Sequence, residues 1–359
     1  MKIITIIGAR QQFVKAAIVS HYLRLYNEHS SMKIEEHILH TGQHYDYNMS
    51  QVFFEEMGIP TPTWHLGCRN DVAQMRDAII PLIRGNADYI MVYGDTNSTL
   101  AGALVAETCD IPLIHIEAGL RSHNMEMAEE YNRIETDKRS KLLFCPTQTA
   151  VNNLRKEGIT QGVYHVGDVM YDATLYFAEQ AQKTSSILQQ LQIVSKQYYL
   201  ATIHRAQTTD NTEKLENIIR AFQQIHLPII LPLHPRTKKV IDNSIVLTKL
   251  IQESPKLRII DSVSYLDMLL LEKHAALILT DSGGVQKEAY FHHTPCITMR
   301  EETEWVETVE AGWNTIVGTN TNRILQAVQS LQKPQYEITE YGSGNAATNI
   351  IKILCQNEY

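Results

Sequence analysis

Short runs of apolar residues alternate with amphipathic segments along the whole chain. In the first half the apolar runs cover residues 2–7, 34–40, 89–93, 113–116 and 142–145, and in the second half they cover residues 198–203, 229–233, 257–260, 277–279 and 296–299. Segments between them, such as residues 211–226, have helical periodicity. This alternation is typical of βαβ units around a parallel sheet. Two such series predict an α/β protein with two doubly wound domains.

The length of the chain agrees with two domains. A chain of 359 residues is long for one average domain and suits two of ordinary size. A further predicted strand, residues 163–166, ends just before Gly167-Asp168. We therefore place the first domain at residues 1–167 and the second at residues 168–344, with an exposed connection near residues 180–197.

Charge and cysteine content exclude several classes of protein. The net charge is −8, and lysines and arginines are dispersed, which argues against a nucleic-acid surface. The five cysteines are odd in number and lack a CxxC pair, so neither a disulfide framework nor a zinc site is indicated. The first apolar run is too short for a signal peptide, and no stretch is long enough to span a membrane. We expect a cytoplasmic protein without a membrane partner.

Polar residues follow many of the predicted strands. In open parallel sheets, ligands bind beyond the carboxyl ends of the strands. Both halves of the chain place chemically capable groups there, which predicts a ligand-binding cleft between the two domains. These groups are Gly8-Ala9-Arg10, Gly94-Asp95, Glu117, His204-Arg205, His234-Pro235-Arg236 and Asp281-Ser282-Gly283-Gly284.

Residues 280–288 are the most informative segment. They read as a strand end, a glycine turn and the start of a helix, with Ser282 as the N-cap. Such a turn presents unpaired N–H groups and the positive end of the helix dipole to a pyrophosphate. Glu288 lies one turn further on, where it can accept hydrogen bonds from ribose hydroxyls. An ordinary capped helix of an α/β domain is the alternative.

Several single residues have both a chemical and a structural interpretation. Arg10 and Lys15 are spaced to reach a diphosphate, or they form a surface cation pair. Asp95 follows a buried strand, where it is a chemical group or the cap of the helix near Ser98. Glu117 follows the next strand and has no evident helix to cap.

Glu129 has the i, i+4 spacing of a salt bridge with Arg133, and for Glu129 alone this structural interpretation is favoured. Together with Asp95, Glu117 and His204, however, it forms a set of three carboxylates and an imidazole. Such a set is typical of a site for general acid/base catalysis. The sequence has no HExxH or DxD spacing, so a metal-free site is favoured.

These motifs occur in an order similar to that of the non-hydrolysing UDP-N-acetylglucosamine 2-epimerases. The resemblance spans nearly the whole chain. It implies the GT-B fold, with two Rossmann-like domains, a C-terminal helix near residues 345–359 packing back on the first domain, and a homodimer. The motifs are Gly8-Ala9-Arg10-Gln11-Gln12-Phe13-Val14-Lys15, Thr41-Gly42-Gln43-His44, Tyr93-Gly94-Asp95-Thr96-Asn97-Ser98, His115-Ile116-Glu117-Ala118-Gly119-Leu120-Arg121, Glu129-Glu130-Tyr131-Asn132-Arg133 and Thr280-Asp281-Ser282-Gly283-Gly284.

The resemblance also implies roles for individual residues, without a metal or other cofactor. The implied catalytic residues are Asp95, Glu117, Glu129 and His204, and the implied UDP contacts are Arg10, Lys15, His204, Arg205, His234, Ser282, Gly283, Gly284 and Glu288. Three positions depart from the usual family pattern, namely Gln11 and Ala128 in place of proline and Gln207 in place of glutamate. Loss of proline removes a preset φ at the Arg10 turn and at the helix start before Glu129.

The chemistry of the implied reaction narrows its mechanism. The C2 hydrogen of a 2-acetamido sugar has no adjacent carbonyl, so simple proton removal is very slow. Oxidation by a nicotinamide would need a dinucleotide site, yet the first turn contains no GxGxxG. Elimination of UDP from C1 as the C2 proton leaves, to give a 2-acetamidoglucal, fits better. We expect interconversion of UDP-GlcNAc and UDP-ManNAc for surface polysaccharide precursors.

Three alternatives concern the substrate and the class of protein. Gly8-Ala9-Arg10, residues 45–50 and residues 301–307 are more similar to the subgroup that includes UDP-2,3-diacetamido-2,3-dideoxyglucuronate 2-epimerases. That substrate carries a C6 carboxylate, for which Arg205, Arg236 or Arg300 would supply a cation. A GT-B glycosyltransferase is a more remote alternative, and it would need an acceptor site rather than three carboxylates. The third alternative is a sensor without activity, which would bind a UDP-sugar without exchanging its C2 proton.

Overall fold

The protein consists of two compact α/β units. The computed structural model describes residues 1–44, 51–330, 334 and 337–356, without the side chains of residues 51 and 52. Contacts between Cα atoms assign Met1–Tyr176 and Thr339–Tyr359 to unit 1, and Phe177–Ile338 to unit 2. Each unit has its own parallel sheet and its own buried apolar core.

Unit 1 is built on a seven-stranded parallel sheet of order β3-β2-β1-β4-β5-β6-β7. The central strands read as continuous apolar runs, because helices cover both faces of a doubly wound sheet. Every residue of the strand at 89–93 is buried. The strands are β1 (Lys2–Ile7), β2 (Glu35–His40), β3 (Trp64–His65), β4 (Tyr89–Tyr93), β5 (Leu113–Ile116), β6 (Leu142–Cys145) and β7 (Val163–His165).

The helices of unit 1 lie between these strands and after the last of them. Several begin at a side-chain cap, as sequence patterns of Ser, Thr and Asp predict. The helices are α1 (Arg10–His29), α2 (Gln51–Met57), α3 (Val72–Ile83), α4 (Asn97–Cys109), α5 (Ala128–Arg139), α6 (Gln148–Lys156) and α7 (Val169–Thr184), which continues into unit 2.

Unit 2 repeats the architecture with a six-stranded parallel sheet of order β10-β9-β8-β11-β12-β13. Its strands are β8 (Tyr199–Thr202), β9 (Ile229–Pro232), β10 (Leu257–Ile260), β11 (Leu277–Thr280), β12 (Cys296–Thr298) and β13 (Asn314–Ile316). Its helices are α8 (Ile187–Gln190), α9 (Ala206–Thr209), α10 (Thr212–Gln223), α11 (Pro235–Asp242), α12 (Ile245–Gln252), α13 (Tyr265–His274), α14 (Gly283–Phe291), α15 (Val306–Glu310) and α16 (Thr321–Ser330).

The predicted α/β class with two parallel sheets is confirmed. Most strands begin and end within a residue or two of the predicted runs. The two strands that the sequence did not indicate, β3 and β13, are short and lie at sheet edges. Such strands contain too few residues to produce a recognisable period.

The last helix, α17 (Ala346–Gln356), belongs to unit 1, where it packs against α1. Its first two N–H groups, of Ala346 and Ala347, donate to the two carboxylate oxygens of Asp172 at 3.1 and 2.8 Å. Asp172 lies in the first half of α7. The division between the units therefore falls inside α7, between Tyr176 and Phe177, rather than at residue 167, because the two halves of this one helix have different partners. The Phe177 ring contacts Tyr265 of unit 2.

Two further features concern the chain as a whole. All five cysteines are free, and Cys68, Cys145 and Cys296 are buried. In residues 1–44, 51–330 and 337–356, no helix combines the length and apolar character needed to cross a bilayer.

The anchoring carboxylate predicts a pH-dependent stability. Burial raises the pKa of Asp172 from 3.8 to about 6. The folded state therefore holds this proton after the unfolded chain has lost it, so the stabilisation is complete below pH 3.8 and is lost as the pH rises to about 6. Asp172→Asn cannot titrate. We expect the wild-type minus variant free energy of unfolding to fall by about 1–3 kcal/mol between these limits.

Urea unfolding at a series of pH values, followed by circular dichroism, measures this difference. Asp242→Asn, a change of an exposed aspartate at the end of α11, serves as the control. A difference for Asp172→Asn that changes with pH no more than the control would contradict the prediction.

Candidate active site

The strand order places a switch point in each sheet. In unit 1 the order reverses between β1 and β4, and in unit 2 it reverses between β8 and β11. Ligands of doubly wound sheets bind beyond the carboxyl ends of the strands at such points. The predicted chemical groups follow these strands or their neighbours, so each unit presents its own set at its own switch point.

Lys15 and Glu117 form a buried ion pair in unit 1. Lys15 Nζ lies 2.6 Å from Glu117 Oε2, and their side chains are only 6% and 11% exposed. Lys15 comes from α1, and Glu117 follows β5. The interpretation of Lys15 as part of a surface cation pair is therefore wrong. Because buried charges require partners, each of these two residues fixes the position of the other.

Gly94 provides the space for this pair. It has a φ of +62°, and a Cβ built on it would lie 3.3 Å from Lys15 Nζ and 3.7 Å from Glu117 Oε1. Glu117 itself has a φ of +69°, in the left-handed region that residues with a side chain rarely adopt. Strained backbone of this kind persists where the surrounding contacts over-determine it, and such positions cluster at functional sites.

Asp95 is held by α5 and does not cap α4. Its Oδ2 accepts a hydrogen bond from Arg133 Nη2 at 2.5 Å, and its carbonyl accepts one from Asn132 Nδ2 at 2.9 Å. Thr96 caps the helix, through a hydrogen bond from the N–H of Thr99. The capping interpretation of Asp95 is therefore wrong, and its carboxylate is placed by a cation 38 residues away.

Glu130 and Glu129, at the start of α5, differ in their surroundings. Glu130 is buried and accepts hydrogen bonds from Ser122 and from the N–H of His123, and it pairs with Arg133 at 3.1 Å. Burial would raise its pKa, but these hydrogen bonds and the Arg133 charge outweigh burial and hold the pKa below its usual value. Glu129 is half-buried. Arg133, the partner that spacing suggested for Glu129, thus binds Asp95 and Glu130.

The Ala128 departure does not prevent α5 from starting at that residue. Gln12, to which we assigned no role from the sequence, joins the ends of β1 and β4. Its Oε1 accepts from the N–H groups of Gly8 and Ala9, at 2.8 and 3.1 Å, and its Nε2 donates to the Tyr93 carbonyl at 3.1 Å. A glutamine at the third position of a helix is a known capping signal, and this signal was available in the sequence.

Arg10 begins α1 and lies beside the same turn. Its N–H donates to His44 Nδ1 at 3.1 Å, and its guanidinium lies over the Phe53 ring, 5.0 Å from the centroid. His40, the last residue of β2, and His44 have an HxxxH spacing, but His40 Nδ1 accepts from the N–H of Gly42. Within the part of the chain that the structure describes, no group of three or more His, Cys, Asp or Glu residues is arranged to hold a metal ion.

In unit 2, Asp281 organises the turn after β8. Its buried carboxylate accepts from the N–H of His204 at 3.0 Å and from the N–H of Arg205 at 2.9 Å. Asp281 itself follows β11, so this contact joins the two strands of the switch point. The His204 ring lies near that of His234, with 5.4 Å between centroids. His204 and His234, both predicted as UDP contacts, are thus neighbours.

The start of α14 is a capped first turn with Arg205 and Glu304 beside it. Ser282 caps the helix, as predicted, by accepting from the N–H of Val285. A Cβ built on Gly283 would lie 3.5 Å from Arg205 Nη2 and 3.6 Å from Glu304 Oε2, so a guanidinium and a carboxylate both stand at the positive end of the helix. The helix dipole and Arg205 favour an anion at this place, and the Glu304 carboxylate opposes one. Glu288, the predicted ribose ligand, is buried one turn further along.

The remaining predicted groups have partners of their own. Arg300 pairs with Glu304 at 3.2 Å, and Arg236 pairs with Asp210 at 3.5 Å. The segment at residues 45–50, used above to indicate a subgroup, lies outside the described residues.

Comparison with known proteins gives consistent results. A family model described as UDP-N-acetylglucosamine 2-epimerase matches residues 27–355. A Methanococcus maripaludis protein named UDP-N-acetylglucosamine 2-epimerase homolog is 47% identical, over 99% of both chains. The UDP-2,3-diacetamido-2,3-dideoxy-D-glucuronate 2-epimerase of Pseudomonas aeruginosa is 44% identical, over 99% of this chain and 100% of the relative.

A solved structure extends the similarity to the fold. The UDP-GlcNAc 2-epimerase of Methanocaldococcus jannaschii, in complex with UDP-GlcNAc and UDP, matches with a TM-score of 0.90 and 39% identity, over 99% of this chain and 100% of that one. Because the match covers both units, it supports the GT-B assignment for the chain as a whole. The chain belongs to the UDP-N-acetylglucosamine 2-epimerase family.

Proposed function

We propose that the protein is a non-hydrolysing UDP-sugar 2-epimerase that interconverts UDP-GlcNAc and UDP-ManNAc. The observation that carries the proposal is the buried Lys15–Glu117 pair, 2.6 Å long, at the strand ends of unit 1 in a chain of this family. A proton acceptor beside a cation suits a reaction in which a proton and a diphosphate leave the same sugar. The product would supply precursors of surface polysaccharides.

The proposed reaction is an elimination followed by an addition. The C2–H and C1–O bonds break, the C–H electrons form the C1=C2 double bond, and UDP departs with the electrons of the C1–O bond. Return of a proton to the opposite face of C2, and of UDP to C1, gives the epimer. We assign Glu117 to one face, and Asp95 or Glu129 to the other, with His204 as a further acid/base group.

Lys15 has two successive partners in this proposal. In the structure its ammonium group binds the Glu117 carboxylate. A diphosphate is a competing anion of higher charge. When it draws the ammonium group toward itself, the Glu117 carboxylate becomes available to accept a proton, and the leaving group gains stabilisation as its charge develops. Arg10, five residues earlier on the same helix, is assigned to the diphosphate as well.

We assign recognition of the nucleotide to residues of unit 2. The first amides of α14, at Gly283 and Gly284, have no intrahelical acceptor and would bind phosphate oxygens, together with Arg205. Glu288 would accept hydrogen bonds from the ribose. The remaining assigned contacts are Ser282, His204 and His234.

Proton NMR of the purified protein with UDP-GlcNAc in D2O tests the function directly. An epimerase of this mechanism incorporates deuterium at C2 and produces the manno epimer. A glycosyltransferase, or a protein that only senses UDP-sugars, leaves C2 protonated, so that result would exclude the proposal.

The diacetamido uronate is the second candidate substrate. It is favoured by the 44% identity to the P. aeruginosa relative named for that sugar. Three arginines were suggested for its C6 carboxylate. Arg300 pairs with Glu304, and Arg236 pairs with Asp210. Arg205 lies beside Gly283. Parallel measurement of kcat/KM for both sugars decides between them.

The family resemblance also supports our proposals that the protein acts as a homodimer and in the cytoplasm.

Removing the acid/base groups should separate catalysis from binding. We expect Glu117→Gln and Asp95→Asn each to lower kcat by about a hundredfold or more, because a positioned proton carrier contributes on that scale. UDP affinity, measured by calorimetry, should remain. Glu126→Gln, an exposed change in the loop before α5, is the matched control. Wild-type turnover in both variants would remove these carboxylates from the mechanism.

Removing the arginine at the start of α14 should weaken UDP binding, whereas removing the carboxylates should lower kcat. For Arg205→Ala we expect UDP affinity to fall by about 1.5–3 kcal/mol, the range for a hydrogen bond to a charged group. Arg236→Ala, which removes an exposed arginine paired with Asp210, should bind UDP normally. Equal affinities of the wild type and Arg205→Ala in calorimetry would show that the diphosphate binds elsewhere.

The reaction should need neither a metal ion nor an added nicotinamide. The described residues form no metal-holding group, and the proposed elimination is redox-neutral. We expect full turnover after treatment with EDTA and exhaustive dialysis. A loss of activity that a divalent ion or NAD restores would contradict this expectation.

A further inference from the structure

A buried aspartate in α5, Asp137, lies behind the Lys15–Glu117 pair. Its Oδ1 lies 2.7 Å from His115 Nδ1, and its Oδ2 accepts from the N–H of Gly119 at 3.2 Å and from Arg121 at 2.8 Å. Asp137 is 1% exposed. Nothing in the proposed reaction uses this carboxylate, yet it contacts three different residues.

His115 extends the contact to the Gly94 turn. The ring is fully buried in β5, and its Nε2 lies 2.8 Å from the Gly94 carbonyl. Both ring nitrogens thus face acceptors, a carboxylate on one side and a carbonyl on the other. The imidazole therefore joins α5 to the glycine turn that makes room for Lys15 and Glu117.

These contacts lie on both sides of Glu117 in the chain. His115 precedes it by two residues, and Gly119 follows it by two, so one carboxylate holds a side chain before the strained position and the backbone after it. The Phe144 carbonyl accepts from the N–H of Glu117 at 3.0 Å and from the N–H of Ala118 at 3.1 Å. A φ of +69° at Glu117 is sustained by this set of hydrogen bonds.

The charges of the group are arranged to keep Asp137 ionised. Burial alone would raise its pKa, but the charges and hydrogen bonds of His115 and Arg121 outweigh burial and hold the pKa below the usual value. Arg121 is balanced in turn by a two-pronged contact with Glu157 at 2.7 and 2.8 Å. An ionised Asp137 accepts all three hydrogen bonds at once, which a neutral amide in its place cannot do.

We propose that Asp137 and His115 are positioning residues of the epimerase, which hold Glu117 in its left-handed conformation and the Gly94 turn beneath it, so that the Glu117 carboxylate stands at its proton-transfer position. This inference rests on the proposed function. Neither residue touches the reacting atoms. Each acts through the backbone on either side of Glu117.

The test is a set of single and double variants assayed for C2 deuterium exchange and epimerisation. We expect Asp137→Asn and His115→Gln to lower kcat by about tenfold to a hundredfold, the cost of a misplaced catalytic group, while KM and UDP affinity stay unchanged. In a Glu117→Gln background, the same changes should cause no further loss of kcat, because both residues act through the carboxylate that is already absent.

Glu157→Gln is the matched control. It removes the outer partner of Arg121 while leaving Asp137, His115 and Gly119 in contact, so it should lower the melting temperature without lowering kcat. If Asp137→Asn does not fold, His115→Gln carries the test, since it retains a donor for the Gly94 carbonyl. An equal loss of kcat in Glu157→Gln, or a full additional loss in the Glu117→Gln background, would overturn the inference.

The outcomes also separate this inference from the proposed function. If the wild type exchanges no deuterium with either UDP-sugar, the proposed function fails. If the wild type exchanges deuterium, and folded Asp137→Asn and His115→Gln have wild-type kcat, the function stands and the positioning role fails.

Discussion

The buried ion pair between Lys15 and Glu117 is the interaction on which the arrangement of unit 1 depends. Taking two charges out of water costs several kcal/mol per ion, and a pair recovers this only with good geometry and further hydrogen bonds. The 2.6 Å contact provides the geometry, and the missing side chain at Gly94 provides the space. The positive φ of Glu117 adds a cost on the order of 1–3 kcal/mol. The structure around the pair must therefore hold both a buried charge and a strained backbone.

Both units use a buried aspartate to order an irregular turn, after β5 in unit 1 and at the switch point between β8 and β11 in unit 2. Asp137 binds the N–H of Gly119 and the side chains of His115 and Arg121, and Asp281 binds the N–H groups of His204 and Arg205. A turn that leaves a sheet has backbone groups without ladder partners, and buried groups of this kind must be satisfied by other acceptors. A short ionised side chain does this with strong hydrogen bonds and little loss of side-chain entropy. The turns that carry Glu117 and His204 are thereby held in one conformation by hydrogen bonds.

The sequence predicted the parts of the structure that depend on local pattern. Continuous apolar runs identified the central strands, and Ser282 followed by two glycines identified the N-cap and the start of α14. The short edge strands β3 and β13 were missed because two or three residues show no period. The unit boundary was placed early because one continuous helix, α7, serves both units.

The pairing of the site residues was beyond the sequence because it depends on contacts between distant positions. Arg133 has ideal spacing for Glu129, but the fold pairs it with Asp95, from 38 residues away. His115 and Asp137 were passed over for the same reason. Neither lies in a helix-cap or metal-ligand spacing, and their connection appears only when β5 lies beside α5.

Under the proposed function, this difference between local and distant contacts bears on substrate choice. The diphosphate and ribose would be bound by the first turn of α14, a local feature that any UDP-sugar can use. Relatives named for two different UDP-sugars both match nearly the whole chain, which agrees with a shared nucleotide site. The C2 proton and C1 leaving group are also common to both sugars. The side chains that distinguish the two sugars must therefore contact C3 and C6. The residues around Glu117 do not distinguish them.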